Sequence, residues 1–350
     1  MFYRVRNIVQ AEGVSGLARR SIAYAYRRVT AELSDMTWKN RLVQSLNRVL
    51  HRFDIRIVRG SDIWRTIERL GHQPAAGAVP AELPPAPYFK VYTGSSLGSP
   101  QRPFDFAVVM PTILRPATVE AVRSIFAQDL PGRVQTLIGV DYPVGGGETG
   151  LEHLCRDIPQ NHALYLFYPG YSTSRRHGGL HPEWCGGTIR TVLTYLANSR
   201  YVAYLDDDNW WTPDHLSSLR EALEGHEWAY SSRWFVHPRS RRPIAQDLWE
   251  SVGPGRGFFK QMGGFVDTNC ISFDKLACEA VIRWWSMPAR NSQKAMDADR
   301  NIFRILSTEF KGRPTGKATV YYTLDEADSQ HPFRLKMIGP ERYAAAAAGD

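Results

Sequence analysis

Cysteine is sparse and without pattern. Cys155, Cys185, Cys270 and Cys278 are the four in 350 residues, with no CxxC pair and no ladder of close spacings, which argues against a zinc ribbon and a disulfide framework. Long apolar runs are missing too: none approaches the roughly 18 residues of a membrane span, and the N-terminus lacks the apolar core of a secretory leader. The expectation is a cytoplasmic protein in a reducing compartment, soluble or peripheral at the inner face of a membrane. No internal repeat of fixed period is present.

Acidic residues are scarce where the chain begins. Residues 1–72 carry 14 Lys and Arg against 6 Asp and Glu, so the whole formal net charge of +8 sits there and the rest is balanced. A nucleic-acid groove needs its positive charge beside the functional residues, so no nucleic acid is expected as partner. Segments such as GLARRSIAYAYRRV set Leu17, Ile22, Tyr24 and Tyr26 among arginines. Region 1–72 therefore reads as basic and helical, either a peripheral contact to anionic lipid headgroups or a solvated hairpin packed on protein. Residues 73–100 open with a Pro- and Ala-rich stretch that cannot continue a helix and read as a linker.

From residue 104 a rhythm appears. FDFAVVM (104–110), TLIGV (136–140), ALYLFY (163–168) and RYVAYL (200–205) read as strands. Between them Val119, Val122, Ile125 and Phe126, and then Ile189, Val192, Leu193 and Leu196, recur at helical spacing. Thr212 stands where it can cap a further helix with Pro213 at its first position, Leu216, Leu219 and Leu223 as buried stripe and Gly225 as stop. TGKATVYYTL (315–324) reads as a late strand. The expected fold class is α/β, a sheet flanked by helices over residues 101–335, followed by a C-terminal tail over 336–350 whose end, AAAAAGD, reads as frayed. Strand ends of such a sheet gather along one edge, where open α/β sheets bind ligands.

Basic side chains are absent from the most acidic spot. YLDDDNWWTPDHL (204–216) holds Asp206, Asp207 and Asp208 in succession, with no Lys or Arg between Tyr201 and Leu219. Adjacent carboxylates at 4 Å repel by about 1 kcal/mol per pair in water and more in a low-dielectric site. On local sequence, water or a bound cation must offset them. If the chain stays extended there, Asp206 and Asp208 point to one side and form a two-carboxylate set for Mg²⁺ or Mn²⁺, the rest of the shell coming from water and substrate phosphate. The alternative is an acidic loop that favours the following helix N-terminus.

In order and spacing these features resemble the GT-A glycosyltransferases, particularly the large inverting family 2, over roughly residues 104–310. FAVVMPTILRP is similar to that family's first strand and turn, with Pro111, Thr112 and Arg115 in matching places. Asp141 looks like its aspartate for the nucleotide base, Gly186, Gly187 and Arg190 like its helix start near the diphosphate, and Asp206–Asp208 like its metal motif. The resemblance implies a mixed sheet flanked by helices, a nucleotide-diphosphate sugar donor, and Mn²⁺ or Mg²⁺ on Asp206 and Asp208, with Asp207 supporting or touching the ribose. It also implies sugar transfer with inversion to a hydroxyl acceptor on a glycan, lipid-linked carrier or protein. MDADRNIFRIL (296–306) resembles the acidic start of the acceptor-side helix, so Asp299 is the expected base and Asp297 its alternate; Asp267 in GGFVDTNCISF is a further candidate for base or sugar binding. By analogy His331 would complete the metal shell.

Departures narrow the reading. DYPVGGGE follows Asp141 in place of the family's second acid and Gly-Ser, and Thr191 replaces an Asn. Ala280 stands where the Gln of a processive-synthase signature would precede Arg283-Trp284, which argues against a processive enzyme. Two readings from other classes stand beside the transferase: a sugar-1-phosphate nucleotidyltransferase, which needs a Gly-rich basic loop where MPTILRP stands, and an inactive scaffold recruited by its basic N-terminus.

Overall fold

The computed structural model describes residues 86–99, 101–174, 177–181, 186–287, 298–328 and 330–348. The basic region 1–72, the Pro/Ala-rich stretch before residue 86, Arg175, Arg176, Cys185 and Asp297 lie outside the described residues. The sheet begins earlier than the sequence suggests. Strand β1 (Tyr88–Thr93) falls inside the segment read as linker, and it pairs antiparallel with β4 (His162–Tyr168), Tyr88 opposite Tyr168 and Thr93 opposite Ala163. Its alternation of half-buried and exposed residues is that of an edge strand. Lys90 Nζ fastens it, donating to Glu148 Oε1 at 3.1 Å and Glu152 Oε1 at 2.6 Å.

The next elements follow the expected alternation. They are β2 (Phe104–Thr112), α1 (Thr118–Phe126), β3 (Val134–Val140), α2 (Glu148–Arg156), β4, α3 (Gly187–Leu196) and β5 (Ser199–Tyr204). Strands β4, β3, β2 and β5 lie side by side and parallel. Every residue of β3 is buried, as a parallel strand covered on both faces requires. The chain moves outward from β2 to β3 to β4, then returns to place β5 on the other side of β2. That reversal is the switch point at which open sheets leave a crevice beyond their carboxyl ends.

Helix α3 turns differently from the expected stripe. Ile189 and Leu193 face the sheet with Arg190 and Thr194, while Val192 and Leu196 remain 45% and 63% exposed. The cause is a close approach: a Cβ on Gly139 of β3 would meet Ile189 Cγ2 at 2.2 Å, so the helix seats Ile189 over that glycine. Thr194 Oγ1 and Tyr204 Oη, 2.9 Å apart, fix the same face.

The second half widens the sheet. It comprises β6 (Trp210–Trp211), α4 (His215–Ala222), β7 (Trp228–Val236), β8 (Pro243–Gln246), β9 (Gly253–Pro254), β10 (Gly264–Phe265), β11 (Ile271–Asp274), α5 (Glu279–Ile282), α6 (Ala298–Glu309), β12 (Gly312–Thr323), α7 (His331–Ile338) and α8 (Pro340–Ala347). The sheet runs β1-β4-β3-β2-β5-β11-β7-β12-β6, with β8 on β7; β9 and β10 form a small hairpin ladder. Because β11 enters antiparallel between β5 and β7, the sheet is mixed, as expected. Leu216, Leu219 and Leu223 are buried and Gly225 has φ +71°. Thr212 does not cap α4, however: Asp214 occupies the cap position, and Thr212 Oγ1 donates to Asp214 Oδ1 at 2.6 Å. The expected frayed tail is also corrected. Residues 340–347 are helical, and Ser240 Oγ donates to the Ala346 carbonyl at 2.7 Å.

Candidate active site

Strand β5 ends at Tyr204, and the chain then turns instead of remaining extended, Asn209 N donating to the Asp206 carbonyl at 3.2 Å. The turn aims the three aspartates at different partners. Asp207 is buried: Thr112 Oγ1 donates to its Oδ2 at 2.7 Å and Ile113 N at 3.1 Å, and Arg115 Nε lies 3.1 Å from Oδ1. Burial raises its pKa, while Arg115, Thr112 and the Ile113 amide pull it back. Asp208 points into the crevice with Arg115 Nη1 3.3 Å from Oδ2. Burial, then Asp206 and Asp207, push its pKa up to about 7; with 39% of the side chain open to water, part of that push is screened.

Asp206 pairs with Arg190 from the first turn of α3, a helix begun by Gly186 at φ +69°. Asn269 grips it twice. Asp206 N donates to Asn269 Oδ1 at 2.6 Å, and Asn269 Nδ2 donates to Asp206 Oδ2 at 2.9 Å. The missing local counter-charge therefore comes from Arg115 and Arg190, 92 and 16 residues distant from their nearest partners in the triplet. This corrects the local reading, in which only water or a metal was left.

The backbone around the acidic turn is shaped for it. Leu114 at φ 55° and Arg241 at φ 60° are the two described non-glycine residues in the left-handed region, a conformation that costs about 1–3 kcal/mol where it is not relieved. Leu114 lies between Ile113 and Arg115, both of which reach Asp207. Arg241 lies over the Trp210 ring at 3.8 Å, and its Nη1 donates to the Asp208 carbonyl at 3.4 Å. Thr323 Oγ1 donates to the same carbonyl at 2.6 Å.

Asp141, at the end of β3, is buried and organises a loop. Ser172 Oγ donates to its Oδ2 at 2.9 Å, and Thr173 N and Oγ1 donate to its Oδ1, each at 2.8 Å. Tyr142 beside it stacks on His177 with ring centroids 4.4 Å apart. A cavity of about 600 Å³ opens here, lined by Tyr171, Ser172, Thr173, Leu180 and His181 among others.

Of the remaining sequence candidates, Asp267 reaches the triplet through Asn269. Asp267 is a buried cap whose Oδ1 accepts from Asn269 N at 3.0 Å and Nδ2 at 2.7 Å, and whose Oδ2 accepts from Arg233 Nη1 at 2.7 Å. Both oxygens are committed to structure. Asp299 opens α6, where its Oδ1 accepts from Arg300 N at 2.6 Å. His331 faces the Tyr343 ring edge-on at 5.6 Å. No group of three His, Cys, Asp or Glu suited to a metal occurs among the described residues. Asp206 and Asp208 are donors of the kind that a divalent cation takes in pairs, the rest of its shell coming from water and phosphate; in the structure the three carboxylates pair with Arg115 and Arg190, and the Arg241 guanidinium lies at the Asp208 carbonyl.

Asn269 and Arg233 escaped sequence reading. The spacing of Asp267 and Asn269 in VDTN was a visible turn signal, but nothing local ties either to residue 206. Arg233 sits in an apolar strand and is fully buried, its Nε on Asp247 at 2.8 Å and Nη2 on Glu250 at 2.8 Å.

No family model matches the chain, and no curated protein matches it. Among solved structures, S. aureus TarS 1-349 in complex with UDP-GlcNAc is 14% identical over 67% of this chain and 65% of that one, with a TM-score of 0.45. The mannosyltransferase PcManGT from Pyrobaculum calidifontis, in complex with GDP-Man and Mn²⁺, is 14% identical over 82% of this chain and 75% of that one, with a TM-score of 0.44. The chain spans 60% of TarS 1-349 in a further structure, at 14% identity over 63% of this chain and a TM-score of 0.43. Likeness of this degree assigns no residue, and the chemistry of the site rests on its own geometry.

Proposed function

We propose that the chain is a GT-A type glycosyltransferase that moves a single sugar from a nucleotide-diphosphate sugar to a hydroxyl acceptor, with inversion. The observation that carries this reading is the meeting of two strand ends at the switch point. Thr112 and Arg115 beyond β2 hold Asp207 and Asp208 beyond β5, and Asp141 ends the neighbouring β3.

Each group then has a task its position suits. Arg115, only partly buried, lies beside Asp208 and offers a guanidinium fork to a diphosphate oxygen. Asp141, by fixing Ser172 and Thr173, shapes the cavity proposed for the nucleoside; its volume of about 600 Å³ falls in the range of small-ligand sites. Pro111 lies against Gly186, where a Cβ would meet Pro111 Cβ at 2.8 Å, so the α3 start reaches the strand end closely. Asp206 and Asp208 would hold Mn²⁺ or Mg²⁺, which supplies charge to a leaving diphosphate as a Lewis acid. Asp207 supports the turn from below. Asp299 at the head of α6 is the proposed base that takes the acceptor proton, Asp297 its neighbour outside the described residues. Asp267 enters as a positioning group.

Binding of UDP and GDP to the full chain, with and without Mn²⁺, tests the reading. Metal-enhanced binding that falls in Asp208→Asn supports it. No enhancement, or an unaltered response in that variant, counts against it, and pyrophosphate formed from a nucleoside triphosphate would shift the assignment to nucleotidyl transfer. Screening nucleotide sugars for donor hydrolysis then identifies the donor.

A further inference from the structure

Asn269 is fully buried, and both amide hydrogens and the amide oxygen of its side chain are engaged. Oδ1 accepts from Asp206 N at 2.6 Å; the two Nδ2 hydrogens go to Asp206 Oδ2 at 2.9 Å and Asp267 Oδ1 at 2.7 Å. An asparagine offers one acceptor group and two donors, so this pattern fixes which end of the amide faces which partner. No aspartate in its place could donate to two carboxylates, and no alanine could satisfy the Asp206 amide.

The far side of the link is rigid. Asp267 Oδ2 is held by Arg233, which also binds Asp247 and Glu250 and lies over the Tyr322 ring at 4.0 Å. Glu250 is shared with Arg334 of α7 at 3.0 Å. Asp247 is locked in turn by the amides of Trp249, Glu250 and Ser251 at 2.9, 2.8 and 3.0 Å. Burial opposes the charge on Arg233, but Asp267 and Asp247 outweigh it and raise its pKa well above the usual value. Arg233 therefore keeps its charge, and Asn269 links its ion cluster to the acidic turn.

We propose that Asn269 is the positioning residue of the acidic turn: it transmits the fixed geometry of the Arg233 ion cluster to the Asp206 carboxylate and so sets the angle at which that carboxylate meets a diphosphate-bound cation. This rests on the reading of Asp206 as a donor-side ligand. Arg190 alone, approaching Asp206 Oδ1, leaves the carboxyl free to rotate about the bond to its Cβ; the second grip on Oδ2 and the grip on the backbone amide remove that freedom. Sites that place a reacting group need it held within about 0.5 Å.

The test is a double-mutant cycle on the full chain, with UDP and GDP as probes in the presence of Mn²⁺. Asn269→Ala is expected to weaken binding of the preferred nucleotide about tenfold, yet to cost little further in an Asp206→Asn background. Thr319→Val serves as a stability control. It breaks the buried contact between Thr319 Oγ1 and His215 Nδ1 at 2.7 Å and touches none of the Asn269 partners, so it should lower thermal stability while leaving binding intact. Unchanged binding in Asn269→Ala, or an equal loss in both backgrounds, overturns the proposal. If the unmodified chain binds neither nucleotide, with or without Mn²⁺, the functional reading fails separately, and a crystal structure of Asn269→Ala decides the positioning role. An Asp206 carboxyl displaced beyond about 0.5 Å supports it; one left in place overturns it.

Discussion

Thr112 Oγ1 donates to Asp207 Oδ2 at 2.7 Å across the seam between β2 and β5, and the same oxygen accepts from Leu114 N at 2.8 Å. One hydroxyl thus ties the acidic turn to the strained Ile113–Arg115 loop. Thr112→Val keeps the shape and removes both bonds. Hydrogen bonds to charged groups contribute about 1.5–3 kcal/mol, so urea unfolding should show a loss of about 2–3 kcal/mol. A loss below about 0.5 kcal/mol, the ordinary range for a surface change, would show that water replaces the hydroxyl.

Much of this arrangement was legible from residue order. Apolar runs ending at Thr112, Asp141 and Asp206 placed three strand ends on one edge, because a parallel α/β sheet allows little else, and the structure keeps all three. What stayed hidden depended on contacts distant in sequence. Arg190 and Arg115 reach the aspartates only after α3 packs on Gly139 and the β2 turn closes. Val192 and Leu196 obey helical spacing yet face outward, since periodicity gives the existence of an apolar stripe and not its rotation about the axis. Strand β1 was lost for a different reason: six alternating residues after a proline-rich stretch resemble a spacer until β4 is there to pair with them.

The Arg233 cluster makes a large stability prediction. Replacing Arg233 with Met leaves Asp247, Glu250 and Asp267 without the cation they share. Removing one partner of a buried ion network costs about 3–5 kcal/mol, and Arg233→Lys should recover little, because an ammonium cannot fork to three carboxylates. Chemical denaturation of both variants measures the difference. Near-native stability in the lysine variant would mean the planar fork is unnecessary.

Acid should destabilise the fold through two buried histidines, above the ordinary carboxylate range. Asp208, pushed up to about 7 by burial and its acidic neighbours, takes up its proton first and offsets part of the loss. Burial lowers His162 to about 4 and His215 to about 3, against about 6.5 in an unfolded chain. Between those values the unfolded chain takes up protons that the folded chain refuses, so stability is complete above pH 6.5 and declines as pH falls toward 4. The slope is about 1.4 kcal/mol per pH unit for each histidine. Asp247, whose pKa is lowered chiefly by Arg233 against the opposing effect of burial, adds its loss only below the ordinary carboxylate range. Unfolding midpoints from pH 7 to pH 4 should fall steadily, and His162→Gln should flatten that decline.

Gly139 fixes how far α3 can approach β3, so Gly139→Ala should push the helix away at Ile189, where the new Cβ would lie 2.2 Å from Cγ2. Overpacking of this kind costs about 1–3 kcal/mol. Ile189→Ala made in the same chain should restore part of the stability by removing the clashing atoms. A pair whose losses simply add would show that the backbone had already moved.

Arg115 is the counter-charge most open to exchange with a ligand, since its side chain is 40% exposed and it spans Asp207 and Asp208. Converting it to Gln removes one positive charge from beside the triplet. Without metal, a nucleoside diphosphate then meets a more repulsive crevice and loses a guanidinium fork, so metal-free binding should fall. With Mn²⁺ the extra charge attracts the cation, and part of the loss returns. The ratio of affinities with and without Mn²⁺ should therefore widen in Arg115→Gln, by about tenfold if the charge is worth about 1.4 kcal/mol at the site. Calorimetric titration of UDP and GDP into both chains, in Mn²⁺ and in chelator, reads that ratio directly. An unchanged ratio would place Arg115 in support of the turn alone and leave the diphosphate to other groups.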